Sequence, residues 1–318
     1  MVTEPALSVA ERSALVAVAR RFYLEDRSKV EIADEFGYSR FKVARMLEQA
    51  RALGVVTITL HDQGTVIPEL AHRLVTELGL REAVVVESDG SEAVARQHVA
   101  AAAADLLSQT LRDGEILGIS WGRTLSAMTE TLPSLPSVSV VQLTGTVGSN
   151  FEQSPVEIVR KVALNSGGSA HPIFAPMVVD NAATAAALRQ QPDVAQAMRM
   201  FDDVTTAVLA LGSWDPVESQ LAEAVPDAQR RELLERGVVA EVAATLIARD
   251  GSLVAPDFAD QCLAVTADQL RTIPRVLLVA AGDRKATAAR AVVRAGLLTG
   301  IVTDRVLAEA LLADPAAG

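Results

Sequence analysis

The sequence predicts an α/β protein in which a small N-terminal helix-turn-helix domain precedes a large domain built on a mainly parallel sheet. Three observations carry this. Residues 8–54 read as three short helices, apolar runs alternate with helical patterns from residue 83 onward, and the charge divides along the same line. Residues 1–55 hold nine Arg and Lys against eight Asp and Glu, whereas the rest hold 20 against 32, so nearly all of the net −11 lies beyond the first segment. Such asymmetry marks parts with different partners. The acidic bulk repels nucleic acid, but salt limits that reach to ~8 Å, and a locally basic face still binds.

At ~150 residues per domain, 318 residues make about two domains. Half the residues are hydrophobic and 22% are charged, a globular composition with ample apolar material for a core. Cys262 is the single cysteine, so no intrachain disulfide forms and no zinc cluster is expected. The N-terminus lacks a basic segment followed by an apolar run, and no stretch of ~18 apolar residues occurs. The expectation is a soluble, cytoplasmic chain with no membrane partner.

The first helix spans residues 8–25, with Ala14, Leu15, Val18, Phe22 and Tyr23 on one stripe. The second opens on Ser28-Lys-Val-Glu31, a capping-box spacing, and stops at Gly37. Ser39 caps the third, with Val43, Met46, Leu47 and Leu53 inward and Gly54 at its end. Residues 55–60 alternate and are β-branched, so they read as a short strand. Two short helices joined by a glycine-containing turn form a helix-turn-helix, whose second helix presents its first residues to the major groove of double-stranded DNA. Here these are Ser39, Arg40, Phe41 and Lys42, with Arg45 one turn on. Arg and Lys donate to guanine edges or phosphates and serine bonds a phosphate. The domain boundaries expected are 1–60 for this unit, 61–82 for a linker helix carrying Leu70, Leu74 and Leu78, and 83–318 for the large domain.

In the large domain, strands are expected at 83–87, 116–120, 138–143, 205–212, 238–247, 275–281 and 300–303. Helices are expected at 91–111, from about 123, and at 153–165, 181–201, 226–236, 284–295 and 304–313. Nearly continuous apolar strands argue for a parallel sheet covered on both faces. Ligands of such sheets bind at the carboxyl ends of the strands. Three loops there stand out. Gly118-Ile-Ser-Trp-Gly-Arg-Thr124 leads a strand into a helix, where Gly122 allows close backbone approach and free N–H groups, with Arg123 and Thr124, suit an anion. Gln142-Leu-Thr-Gly-Thr146 offers neutral hydrogen-bonding groups. Ala281-Gly-Asp-Arg-Lys285 carries one of only four lysines, a point charge suited to a phosphate or an acid.

Catalytic constellations are poor. His61, His72, His98 and His171 are dispersed, and neither a Gly-x-Ser-x-Gly elbow nor a P-loop is present. No metal or cofactor is expected, and the chain reads as a non-enzyme. Cys262, in an apolar stretch, reads as a small core residue. Asp250, Asp257, Asp260 and Asp283 stand near the ligand-side loops, where turn and cap roles are commonest for aspartate.

These residues together resemble the SorC family of sugar-responsive transcriptional regulators, the DeoR-like sugar-binding group. The likeness runs through Tyr38-Ser-Arg-Phe-Lys-Val-Ala-Arg-Met-Leu47, Gly118–Thr124, Gln142–Gly145, Leu278–Lys285 and Ile301-Val-Thr-Asp304. The resemblance implies a repressor or activator that binds a DNA operator. It also implies a Rossmann-like effector domain similar to phosphosugar isomerases, a sugar, polyol or sugar-phosphate effector, and a homodimer or homotetramer. Carried over, Gly122, Arg123, Thr124 and Lys285 would hold a phosphate, and Gly282 would belong to the same effector-binding set. Gln142, Thr144 and Gly145 would line the pocket and Asp257 would meet hydroxyls. Two departures stand out. The family's second glycine before the lysine is Asp283 here, which leaves an uncharged effector open. Residues 241–251 also lack the small and aromatic residues common there. A sugar-phosphate isomerase is the second reading, for which turnover lost in Asp257→Asn would be the mark.

Overall fold

In a computed structural model, residues 8–56, 64–88, 90–147 and 154–313 are described. The chain divides into two compact units, residues 1–60 and 61–318.

The smaller unit packs the helices Val9–Tyr23, Lys29–Phe36 and Arg40–Ala52 around Leu15, Val18, Ile32, Val43, Leu47 and Ala50. The capping box forms as its spacing requires. Ser28 Oγ accepts from the Glu31 amide at 3.3 Å while the Glu31 carboxylate accepts from the Ser28 amide at 2.9 Å. Gly37, at φ 67°, ends that helix in the left-handed region. Ser39 Oγ accepts from the Lys42 amide at 3.2 Å and starts the next. Leu53 departs from expectation. It caps the third helix and is 41% exposed, because the helix ends at Ala52 and the chain turns before Leu53 can reach the core. Of the strand expected at 55–60, residues 57–60 lie outside the described residues.

In the larger unit, seven strands among the described residues form one parallel sheet: β1 (Glu82–Val86), β2 (Ile116–Ile119), β3 (Ser139–Gln142), β4 (Ala170–His171), β5 (Thr206–Ala210), β9 (Arg275–Val279) and β10 (Gly300–Asp304). Their spatial order is β1-β10-β9-β5-β2-β3-β4, with Leu117 of β2 paired to Val140 on one side and to Thr206 of the central strand on the other. Successive side chains feed two cores, as a period of two demands. Val208, Leu277, Val279 and Val302 face one, and Leu209, Val276, Leu278 and Ile301 face the other.

Three expectations change. The run 238–247 is not one strand of this sheet but a hairpin, β7 (Val238–Val242) and β8 (Thr245–Ala248), in a small antiparallel sheet with β6 (Gly212–Ser213). It turns at Ala243 and Ala244, at φ 46° and 66°, without the glycine or asparagine that would announce it. The helix expected over 181–201 is two, Ala182–Arg189 and Pro192–Arg199, because Pro192 cannot donate within a continuous helix and instead begins the second. The described part of the segment read as a linker is integral to the larger unit. Val66 bridges Val86, and the helix Pro68–Leu78 seats fully buried Leu74 in the same core as Val85.

Candidate functional site

The strand order reverses at β2. From there the chain adds β3 and β4 on one side, then returns to place β5 on the other. A crevice opens at such a switch point, outside the carboxyl ends of the strands, and the cleft of interest lies there. The Ser120 hydroxyl accepts from the Ala210 amide at 3.0 Å and ties the ends of β2 and β5 together. Gly122 follows at φ 141° and ψ 163° and caps the helix Arg123–Thr131 without a side chain, leaving its first amides open to a ligand. Gly122, exposed Arg123 and buried Thr124 form one wall.

Two buried ionisable groups also line the cleft. Lys285 is 8% exposed, and its ammonium donates to the Leu211 carbonyl at 3.3 Å. Burial pushes its pKa down and nearby Arg123 adds to this, while Glu218 opposes. Glu241, on β7, is paired in register with Gly212, where a Cβ would stand 2.3 Å from the Glu241 carboxylate. Ser219 Oγ donates to Glu241 at 3.0 Å and the Ala244 amide at 3.4 Å. Burial raises its pKa to about 6, against the pull of these donors and of Lys285. The cleft is narrow, about 30 Å³. Beside it lies a second space of about 190 Å³, lined by Gly282, Asp283, Glu92 and Asp304 among others. Glu218 lines both, and its carboxylate accepts from Arg284 Nε at 2.8 Å.

Glu241 yields a pH prediction. A carboxyl whose folded pKa lies above its unfolded value, 4.5 moving to about 6, adds stability below pH 4.5 and loses it as pH rises through about 6. The size is about 2 kcal/mol. Glu241→Gln is expected to flatten stability between pH 4.5 and 6.5 and to raise it at pH 7, measured by urea unfolding. An unchanged pH slope in the variant would refute the assignment.

The structure brings Gly122, Arg123, Thr124 and Lys285 to one cleft and sets Gly282 in the adjoining space. It does not bring the remaining four. The Gln142 amide is fully buried and serves the chain, accepting from the Ile173 amide at 3.2 Å and donating to the Thr144 carbonyl. Thr144 is buried in a bridge to Ala264. Gly145 is there for packing, since a Cβ would sit 2.7 Å from the Ala175 carbonyl and the Met177 backbone. Asp257 is exposed, and Arg236 grips both its oxygens, at 2.7 and 3.1 Å, holding its pKa below the usual range. The acid invoked for isomerase chemistry is therefore outside the cleft. Glu218, Ser219 and Glu241 went unread. Glu241 left one signal, a lone carboxylate in the apolar run 238–247, while Glu218 and Ser219 left none. The Cys262 thiol is buried, donates to the Phe258 carbonyl, and is pushed up to about 12, so it stays protonated. No cluster of metal ligands and no helix able to cross a membrane occurs among the described residues.

In the smaller unit Ser39, Arg40, Phe41, Lys42 and Arg45 are all exposed. Arg21 is engaged by Glu25 and Glu35, and Arg27 by Glu31. Arg40, Lys42, Arg45 and Arg51 enter no ion pair among the described residues, so the third helix carries more of the unit's unpaired cations than either of the other two, which hold Arg12 and Arg20, and Lys29. The Lys42 ammonium sits 3.7 Å from the centre of the Tyr38 ring.

The family described as "Putative sugar-binding domain" matches residues 65–313. The "Uncharacterized transcriptional regulator YjhU" of Escherichia coli (strain K12) is 26% identical over 302 residues, covering 92% of each chain. The "Deoxyribonucleoside regulator" of Bacillus subtilis (strain 168) is 24% identical over 303 residues, covering 94% of this chain and 97% of the relative. In fold, the chain is similar to the full-length sorbitol operon regulator SorC from Klebsiella pneumoniae, with a TM-score of 0.73 and 22% identity over 95% of this chain and 99% of that one. The resemblance to SorC-type regulators holds over both units, and through the match to residues 65–313 the chain belongs to the sugar-binding-domain family.

Proposed function

We propose that this chain is a transcriptional regulator of carbohydrate genes, a non-enzyme whose residues 1–60 bind a double-stranded DNA operator and whose larger unit binds a sugar, polyol or sugar phosphate. The observation that carries the reading is the pairing, in one chain, of an unneutralised basic helix with a polar cleft at the switch point of a parallel sheet. The open amides after Gly122, with Arg123 and Lys285, suit a phosphate, while Ser219 and Glu241 suit hydroxyls. Gating follows from linkage. A ligand that prefers one conformation or assembly, in a dimer or tetramer, shifts DNA affinity by that difference, commonly ~1–3 kcal/mol.

The test is a thermal-shift panel of sugars, polyols and their phosphates, followed by DNA binding to the fragment upstream of the protein's own coding region, with and without the compounds that act. A ligand at 100 times its Kd adds about 2.7 kcal/mol of stability. Lys285→Met is expected to remove the shift given by phosphorylated compounds. It is also expected to leave the ligand-free melting temperature equal or higher, because a buried ammonium costs solvation. A phosphate-dependent shift that survives in Lys285→Met removes the lysine from the site, and a panel with no active compound, together with no preference for the upstream fragment, removes the function.

A further inference from the structure

The third helix of the smaller unit carries an apolar group that phosphate binding does not explain. Phe41 is 83% exposed, the most exposed large hydrophobic side chain among the described residues. Val43, Leu47 and Ala50 point into the core. At 100° per residue, Phe41 and Arg45 therefore lie on the opposite, outward side, one turn apart. Lys42, next in the chain, is drawn back over Tyr38. The outward face thus holds the Phe41 ring and the Arg45 guanidinium at its N-terminal half, with Arg40 at the helix start and Glu48 and Ala52 toward its other end.

A phenyl ring has no hydrogen bond to offer a base, and its chemistry is apolar contact alone. Along the floor of the major groove, the apolar group that distinguishes one base edge from the others is the C5-methyl of thymine. The cationic flanks fit a phosphate-lined groove, so the surroundings of the ring name its partner as DNA. We propose that Phe41 is a specificity residue that packs on a thymine methyl in the major groove, while Arg45 donates to a base edge or phosphate one helical turn along. The proposal rests on the reading of this helix as the DNA-binding element.

The test uses the full chain. A randomised duplex library is selected for binding, and each thymine of the selected sequence is replaced in turn by deoxyuridine, which keeps the hydrogen-bonding edge and lacks the methyl. One replacement is expected to weaken binding about fourfold, corresponding to the ~0.8 kcal/mol of one methyl-sized group leaving water. That loss is expected to vanish in Phe41→Ala and to persist in part in Phe41→Leu. If every replacement is silent, or one acts equally on the unsubstituted chain and on Phe41→Ala, the methyl contact is overturned while sequence selection still supports the helix. An affinity loss in Phe41→Ala that ignores the methyl overturns it in favour of a wedge between bases or a contact between copies. A chain that selects no sequence overturns both readings.

Discussion

Gly122→Ala is expected to destabilise the larger unit by about 3 kcal/mol and to abolish its response to any compound active in the thermal-shift panel. The backbone at φ 141° and ψ 163° lies in a region that only glycine occupies without strain, and a side chain there costs ~1–3 kcal/mol. A Cβ would also stand 2.8 Å from that of Ala210. The backbone cannot swing away freely, because the Ser120 hydroxyl holds the Ala210 amide at 3.0 Å and fixes β2 against β5. Relief therefore tilts the first turn of the helix Arg123–Thr131 and misdirects the amides that face the cleft. Adding Ala210→Gly removes the collision and leaves the dihedral strain, so the double variant is expected to recover stability in part. Urea unfolding gives the stabilities and calorimetry the ligand response. A single variant as stable and as responsive as the parent would show that the close approach at Gly122 has no functional weight.

The second large effect belongs to the smaller unit. Arg40→Ala with Lys42→Ala is expected to weaken operator binding by about 100-fold, roughly tenfold per lost contact. It is also expected to make the fall of log affinity with log salt shallower, by about 2 in slope. Both side chains are exposed and free of ion pairs among the described residues, so the fold is expected to persist. The contact of Lys42 with Tyr38 is of the kind worth ~0.5–1 kcal/mol at an exposed site, a change that a melting curve separates from lost DNA contacts. Ligand-induced thermal shifts are expected to remain. Operator affinity equal to the parent's in the double variant would exclude this helix as the reader of DNA.

The smaller unit was legible because its signals are local. Ser28, Glu31, Gly37 and Ser39 each act on backbone groups within five residues. The sheet was legible because its strands are buried on both sides and so nearly all apolar. The hairpin at 238–248 was not, because its turn falls on Ala243 and Ala244, which carry no turn chemistry and are held at positive φ by packing around them. Half of the candidate cleft could be read, since Gly122 and Lys285 sit just beyond strand ends where topology places ligands. Gln142 and Thr144, at a strand end, and Asp257, in the helix Pro256–Ala259, stand outside this cleft because such polar residues serve the chain's own backbone, or a distant partner, as readily as a ligand. Gln142 closes on Ile173, and Asp257 on Arg236. Ser219 and Glu241, 22 residues apart, meet only through a tertiary contact.

Lys285 and Glu241 are both held in surroundings that disfavour their charged forms. Each charge costs the folded chain stability, and under the proposed function a ligand that pairs with either is expected to offset that cost. Resistance to proteolysis is then expected to rise with the concentration of such a ligand, a readout of binding that needs no DNA.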